Sequence, residues 1–160
     1  MSENESVTIS VEIAPENLKP HLHTLLMTYL DELSAYDEMD DDYPYFDEYW
    51  RGGARWPYVI MAGGEIAGFA LVNDWSASQH GTEFAVAEFY IRPAFRRDAI
   101  GQHVFKQLLE NHHGQWELSV MDTNEKAYRF WQNALQNNDV EDLQSISQDG
   151  ATIYRFKNTR

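Results

Sequence analysis

Phe89-Tyr90-Ile91-Arg92-Pro93-Ala94-Phe95-Arg96-Arg97-Asp98-Ala99-Ile100-Gly101 runs from an apolar stretch through a basic loop straight into a segment with helical spacing. Beyond the loop the apolar residues Ile100, Val104, Leu108 and Leu109 recur at that spacing, so the region reads as strand, turn, helix. A loop of this kind offers unpaired backbone N–H groups at the positive end of a helix dipole, and Arg96 and Arg97 add charge. That combination suits a pyrophosphate. The point is sharpened by scarcity, because the chain has only 12 Lys and Arg against 26 Asp and Glu.

The chain around the loop divides into regular elements. Val7 to Ile13 alternates as a half-buried strand does, and Pro15 suits the opening turn of a helix reaching about Leu33. Tyr36 to Trp50 is dense in acids and aromatics and is expected to be a loop followed by a short helix from about Pro44. Pro57–Ala62 and Glu65–Asn73 form a hairpin around the two-residue turn Gly63-Gly64. After the polar connection Trp75–Thr82 comes a strand over Phe84–Ile91, then a helix over about Ala99–Asn111 that ends in the basic-capable pair His112-His113 and Gly114. A strand over Gln115–Met121, a helix over about Glu125–Leu135, and a closing hairpin of Glu141–Ser147 and Thr152–Phe156 around Asp149-Gly150 complete the chain.

Length and composition set bounds. With 160 residues, 43% hydrophobic and 24% charged, residues 1–160 read as one globular α/β domain. Cysteine is absent, so no disulfide, thiol nucleophile or thiolate ligand is available. His21 and His23 point to different helix faces and the other histidines are scattered, so no metal site is expected. A formal net charge of −14 argues against nucleic acid and anionic membranes as partners and suits a cationic one. Met1-Ser2-Glu3-Asn4-Glu5 lacks the features of a signal peptide, and no apolar run approaches a membrane span, which makes the cytoplasm the expected compartment. The oligomeric state is open, a homodimer included.

Arg96-x-x-Ala99-x-Gly101 resembles the acetyl-CoA loop of the GNAT superfamily of N-acetyltransferases, which usually reads Gln or Arg, two residues, Gly, one residue, then Gly or Ala. The resemblance extends to the hairpin Val59–Val72, to Trp116-Glu117-Leu118-Ser119-Val120, and to Asn124-x-x-Ala127-x-x-Phe130-Trp131, covering roughly residues 57 to 135 in order. It implies a GNAT-type fold: a mixed, twisted sheet of about six to seven strands with helices on both faces. It also implies acetyl-CoA as co-substrate, gripped by the backbone of Phe89, Tyr90 and Ile91 and by the loop Arg96, Arg97, Asp98, Ala99, Ile100, Gly101 and Gln102. Asn124 and Trp131 stand beside the pantetheine arm by the same resemblance. The loop departs from the family pattern at Ala99, where Gly is usual and φ is expected to stay negative. Asp98 suits a helix N-cap, and Asn124 is open to the same reading.

The implied reaction is acetyl transfer to a primary amine by direct attack in a ternary complex, the acceptor being a small cationic amine or an exposed protein amine. Such an amine is mostly an ammonium ion at neutral pH, so a base near it is useful. Glu88 is the first candidate: strand alternation puts it on a face with Phe84, Val86 and Tyr90, where an apolar setting raises a carboxyl pKa. The competing reading pairs Glu88 with an arginine, and Glu117 is the second candidate. The family often has a Tyr seven residues after the Asn to protonate the leaving thiolate; here that residue is Trp131, and Tyr128 is the substitute one helical turn earlier. For the acceptor, the segment between the first helix and second strand supplies Asp40, Asp41 and Asp42 with Tyr45 and Tyr49, a charge and ring set suited to a cation. The alternative to an enzyme is a GNAT-like module that senses acyl-CoA or a protein partner without turnover.

Overall fold

Among the described residues seven strands hydrogen-bond in the order β1-β2-β3-β4-β5-β7-β6, and every neighbouring pair is antiparallel except β4 and β5. The computed structural model describes residues 8–36 and 43–159. Asp40, Asp41 and Asp42 fall outside the described residues, as do the side chains of Arg97 and Asp98. The strands are β1 (Ile9–Ile13), β2 (Arg55–Ala62), β3 (Glu65–Asn73), β4 (Phe84–Ile91), β5 (Gly114–Met121), β6 (Glu141–Gln148) and β7 (Ala151–Asn158). Three α-helices among the described residues, α1 (Lys19–Leu33), α2 (Ile100–Asn111) and α3 (Glu125–Asn137), cover the two faces. No helix among the described residues is long and apolar enough to cross a membrane.

Local chemistry explains most boundaries. The first helix opens in two steps, a 3-10 turn over Glu16–Leu18 and then α1 from Lys19, because Pro20 lacks an N–H and fits only the first turn of an α-helix. Pro57 lies inside β2, yet its missing N–H removes no ladder bond: β1 pairs only as far as Tyr58, and the Pro57 carbonyl on that side already accepts from the Ala14 N–H. Gly63 and Gly64 both have positive φ, as a two-residue turn matched to the strand twist requires, and Asp149-Gly150 repeats the device. Asn124 caps α3, its side-chain oxygen accepting from the Ala127 N–H at 3.1 Å.

Two apolar layers flank the sheet. On one side Leu22, Leu26 and Leu30 of α1 pack with Phe46 and Tyr49 against Val59, Phe69, Leu71 and Tyr90. On the other, Val104, Phe105 and Leu108 of α2 and Trp131, Ala134 and Leu135 of α3 cover Ile60, Val72, Trp116, Leu118 and Phe156. His112 belongs to this second layer, which corrects its reading as a charge at the helix end. Its ring is enclosed by Trp56, Phe84 and Trp116 and lies 2.6 Å from the Tyr58 hydroxyl, and burial lowers its pKa, so it is held neutral.

One irregularity in β4 organises everything that follows. Leu71 pairs with Glu88 but Val72 pairs with Val86, so Ala87 is an extra residue, a β-bulge. An inserted residue inverts the side-chain alternation beyond it. Phe84 and Val86 face the α2/α3 layer, whereas Ala87 and Tyr90 face the α1 layer. Glu88 therefore does not share a face with Phe84 and Val86, as simple alternation predicts; it sits with Tyr90 on the α1 side. The parallel ladder to β5 covers only Phe84↔Trp116, Ala85↔Glu117 and Val86↔Leu118, and it stops at the bulge. Past that point the two strands diverge.

Candidate active site

Two cavities follow one another along β4. The first, about 480 Å³, is lined by Phe89, Tyr90, Ile91, Arg96 and Gly101, by Tyr29, Glu32, Leu33 and Tyr36 of α1 and its end, and by Asn124, Lys126, Ala127, Phe130 and Trp131 of α3. The second, about 490 Å³, is lined by Ala85 to Glu88 of β4, Glu117 to Ser119 of β5, and Tyr43, Tyr45, Tyr49, Arg55, Asn73, Trp75 and Ala77. Both volumes are in the usual range for small-molecule sites. They abut at the Glu88–Phe89 peptide.

Seven residues expected at the co-substrate site, Phe89, Tyr90, Ile91, Arg96, Gly101, Asn124 and Trp131, line the first cavity. Ala99, Ile100 and Gln102 do not. Ile100 is buried in the α2/α3 layer, and the Gln102 side chain donates to the Phe130 carbonyl at 3.4 Å, leaving its buried oxygen without a partner among the described residues. Ala99 is the N-cap residue of α2, with φ 55° and no side-chain cap bond. This corrects two expectations: φ there is positive, and Asp98 lies in the preceding 3-10 turn (Pro93–Asp98) instead of capping the helix. The turn needs a left-handed residue to swing into α2, the geometry for which Gly is usual.

Gly101 has a packing reason of its own, since a Cβ there would come within 2.8 Å of the Phe130 ring. Arg96 is engaged on three sides: its Nε donates to the Ile91 carbonyl at 2.7 Å, its Nη2 pairs with Glu32 at 3.1 Å, and its guanidinium lies over Tyr90. It ties α1 to the end of β4 across the cavity, with part of its charge already matched. The Asn124 oxygen is committed to the cap, which leaves its amide N–H groups for a ligand.

Glu88 stands partly buried where the two cavities meet. Its Oε2 accepts from the Tyr43 hydroxyl at 2.9 Å. Burial pushes its pKa up to about 7, while the hydroxyls of Tyr43 and Tyr29 pull the other way. Burial, and after it the Glu88 charge, drives the Tyr43 and Tyr29 hydroxyls well above the usual tyrosine range, so both remain protonated donors.

The arginine partnership belongs to Glu117 instead. That carboxylate is 1% exposed, pairs with Arg155, and accepts from the Ser76 and Ser78 hydroxyls at 2.8 Å each. Burial works to raise its pKa, but the bonds from Ser78 and Ser76 and the Arg155 charge outweigh it and leave the pKa lowered. A carboxylate so satisfied is a poor base.

Tyr128 is half exposed and lines neither cavity. The inward face of α3 carries Ala127, Phe130, Trp131 and Ala134, and residue 128 is turned about 100° from it. Tyr49 is buried, its hydroxyl accepting from the Asn73 amide at 3.0 Å, whereas Tyr45 is exposed at the rim. Sequence reasoning did not single out Tyr29, Glu32, Arg55, Asn73 or Lys126; only their place in the assembled fold marks them.

The model of the acetyltransferase (GNAT) family matches residues 22–135. In structure the chain is similar to a GNAT-family acetyltransferase from Streptococcus agalactiae 2603, at 17% identity and TM-score 0.69, over 95% of this chain and 96% of that one. It is also similar to yncA from Salmonella typhimurium, solved with its cofactor acetyl-CoA, at 12% identity and TM-score 0.67, over 96% and 95% of the two chains. An acetyltransferase from Thermus thermophilus matches at 13% identity and TM-score 0.68, over 93% and 95%. At these identities the likeness carries the fold. No curated protein matches the chain.

Proposed function

The chain belongs to the acetyltransferase (GNAT) family, and from that premise we propose that it transfers an acetyl group from acetyl-CoA to a primary amine that is an ammonium ion in solution. The observation that carries this reading is Glu88, a carboxyl group with a pKa of about 7 at the junction of two cavities. Acetyl-CoA, when bound, supplies a thioester whose carbonyl carbon takes the amine lone pair as the C–S bond breaks and the pair leaves with sulfur.

The first cavity suits that co-substrate. The β4 edge beyond the bulge has no strand partner on the β5 side, so a pantetheine amide can take the place of a strand. Aromatic walls from Phe89, Phe130 and Trp131 exclude water around the arm. The first turn of α2, Arg96 and Lys126 offer N–H groups and charge to phosphates. The Ile91 carbonyl, taken by Arg96, is withdrawn from this role.

In the second cavity Glu88 accepts the ammonium proton, directly or through a water, and so frees the lone pair for attack. Near neutral pH a base of pKa about 7 is half ionised, poised between accepting the proton and releasing it afterwards. Tyr43 and Tyr29 orient the carboxylate and steady its charge. Trp131 offers no proton to the leaving sulfur; a thiol with a pKa near that of cysteine, about 8.5, departs as a thiolate without one. Tyr49 and Tyr45 line this cavity and supply rings suited to a cationic head group.

The test is thiol release from acetyl-CoA with a panel of primary amines, comparing wild type with Glu88→Gln. The variant should lose about 100-fold or more in kcat, bind acetyl-CoA with unchanged affinity, and recover partly as pH approaches the amine pKa. A wild-type kcat in the variant across pH 6–9 sinks the assignment. Binding of acetyl-CoA with no thiol release from any amine would instead support a sensor without turnover.

A further inference from the structure

The second cavity contains a cation, Arg55, that no carboxylate among the described residues neutralises. Among the described arginines, Arg51, Arg96, Arg129 and Arg155 each pair with a carboxylate, and Arg92 donates to the Ile66 carbonyl. Arg55, partly buried at the start of β2, has neither an ion pair nor a side-chain hydrogen bond among the described residues. In a chain with more than twice as many acids as bases, an arginine without a partner among the described residues, in a concave site, is conspicuous. The carboxylates lining the same cavity do not answer it: Glu117 is matched by Arg155, and Glu88 is held by tyrosines.

We propose that Arg55 is an anion-binding specificity determinant, and that the natural acceptor is a small amine bearing an acidic group, carboxylate or phosphate, close to its nitrogen. The proposal rests on the reading of Glu88 as the base for that amine. One side chain relates the two charges. The Tyr49 hydroxyl is raised first by burial and lowered by bonding with Asn73 and Tyr43, and it feels Glu88 and Arg55 with opposite signs. Arg55 is also the register partner of Asn73, whose amide donates to that same hydroxyl.

A zwitterion laid across Tyr49 places its ammonium toward Glu88 and its acid toward Arg55. The guanidinium fork suits a planar carboxylate or a phosphate bidentately. A second positive charge on the acceptor would meet repulsion there, which disfavours diamines. Trp75 and Tyr45, 70% and 63% exposed at the rim, offer ring faces to a large side chain.

The experiment compares matched acceptors that differ in the acidic group alone: L-phenylalanine with 2-phenylethylamine, L-leucine with 3-methylbutylamine, and O-phosphoethanolamine with ethanolamine. The expected result is a kcat/KM preference of about 10-fold or more for the acid-bearing member of at least one pair, as a charge-assisted bond supplies. The amino-acid and phosphate arms tell the two anions apart. Arg55→Met should bring that ratio to about one, Arg55→Lys should restore part of it, and the thermal shift given by acetyl-CoA should match wild type in both, which shows that they fold. Equal or better turnover of the decarboxylated amines, a peptide amide preferred over every small acceptor, or a ratio that Arg55→Met leaves intact overturns the proposal. Those outcomes leave amine acetylation standing, whereas the absence of thiol release from every amine would sink the underlying reading instead.

Discussion

Replacing Tyr43 with Phe tests the electrostatics of the base without touching the carboxylate. The hydroxyl donates to Glu88 Oε2 at 2.9 Å and helps hold down a pKa that burial pushes up to about 7. A hydrogen bond to a charged group is worth ~1.5–3 kcal/mol, or about one to two pKa units at 1.36 kcal/mol each. Without it the Glu88 pKa should rise to about 8 or above. At pH 7 the ionised fraction then falls from about one half to about one tenth, a roughly fivefold loss, while at pH 9 both enzymes are largely ionised. The assay is kcat/KM for one amine from pH 6 to 9, followed by thiol release and read as the ratio of Tyr43→Phe to wild type, in which the amine's own ionisation cancels. The ratio should climb toward one as pH rises. A ratio that stays flat, at any height, refutes the reasoning: Glu88 would then either not titrate in this range or not be the base.

The same carboxyl group opposes folding. Its folded pKa is raised above its ordinary value of 4.5, so the native state binds more protons than the unfolded chain between pH 4.5 and 7, and stability falls across that window. Glu88→Gln should therefore be more stable than wild type at pH 8, by up to about 3 kcal/mol, with little difference at pH 4.5; equal melting temperatures at pH 8 would contradict the raised pKa. Glu117→Gln should act oppositely, losing ~3–5 kcal/mol because Arg155 stays buried without its anion. The contribution of Glu117, whose pKa is lowered, is present above pH 4.5 and lost as pH falls through the depressed value, so urea midpoints of wild type and variant should converge on acidification. Ala99→Gly should relieve the left-handed strain at φ 55° and gain about 1 kcal/mol, or roughly 2–4 °C. Gly101→Ala, pressed against Phe130, should lose ~1–3 kcal/mol in the same melts.

What could be read from the chain was what neighbouring residues decide together. Gly63-Gly64 and Asp149-Gly150 declare their turns, Asn124 offers a cap as one of its two readings, and the periodicity of β4 and α2 gives those elements to within a residue. The mixed sheet with helices on both faces is what the resemblance over residues 57 to 135 implies, and the strand order agrees with it. Nothing about Ala87 announces an inserted residue, because a bulge is defined by the partner strand; simple alternation accordingly groups Glu88 with Phe84 and Val86, while the apolar setting that raises its pKa is legible. The same limit applies to Tyr29 and Glu32, which enter the co-substrate cavity only through the packing of α1, and to Arg55, brought beside Tyr49 by the β2–β3 register. Ala99 shows a local preference overridden: alanine avoids positive φ, and the turn between the 3-10 segment and α2 imposes it.

The three-residue parallel seam between β4 and β5 has a dynamic consequence. The sheet consists of two antiparallel blocks, β1 to β4 and β5 with β7 and β6, joined edge to edge over Phe84–Val86 and Trp116–Leu118. Bending should concentrate at the short joint, where the fewest backbone bonds resist it, so a motion that opens and closes the wedge is the one expected to be softest. A molecule lodged between the diverging strands would supply the missing rungs and should damp such a motion. The ordering entropy is then charged to whichever ligand arrives first, and the second binds to a frame already stilled. Favourable coupling between donor and acceptor would arise without contact between them or a change in the mean structure, from a ladder that ends after three rungs.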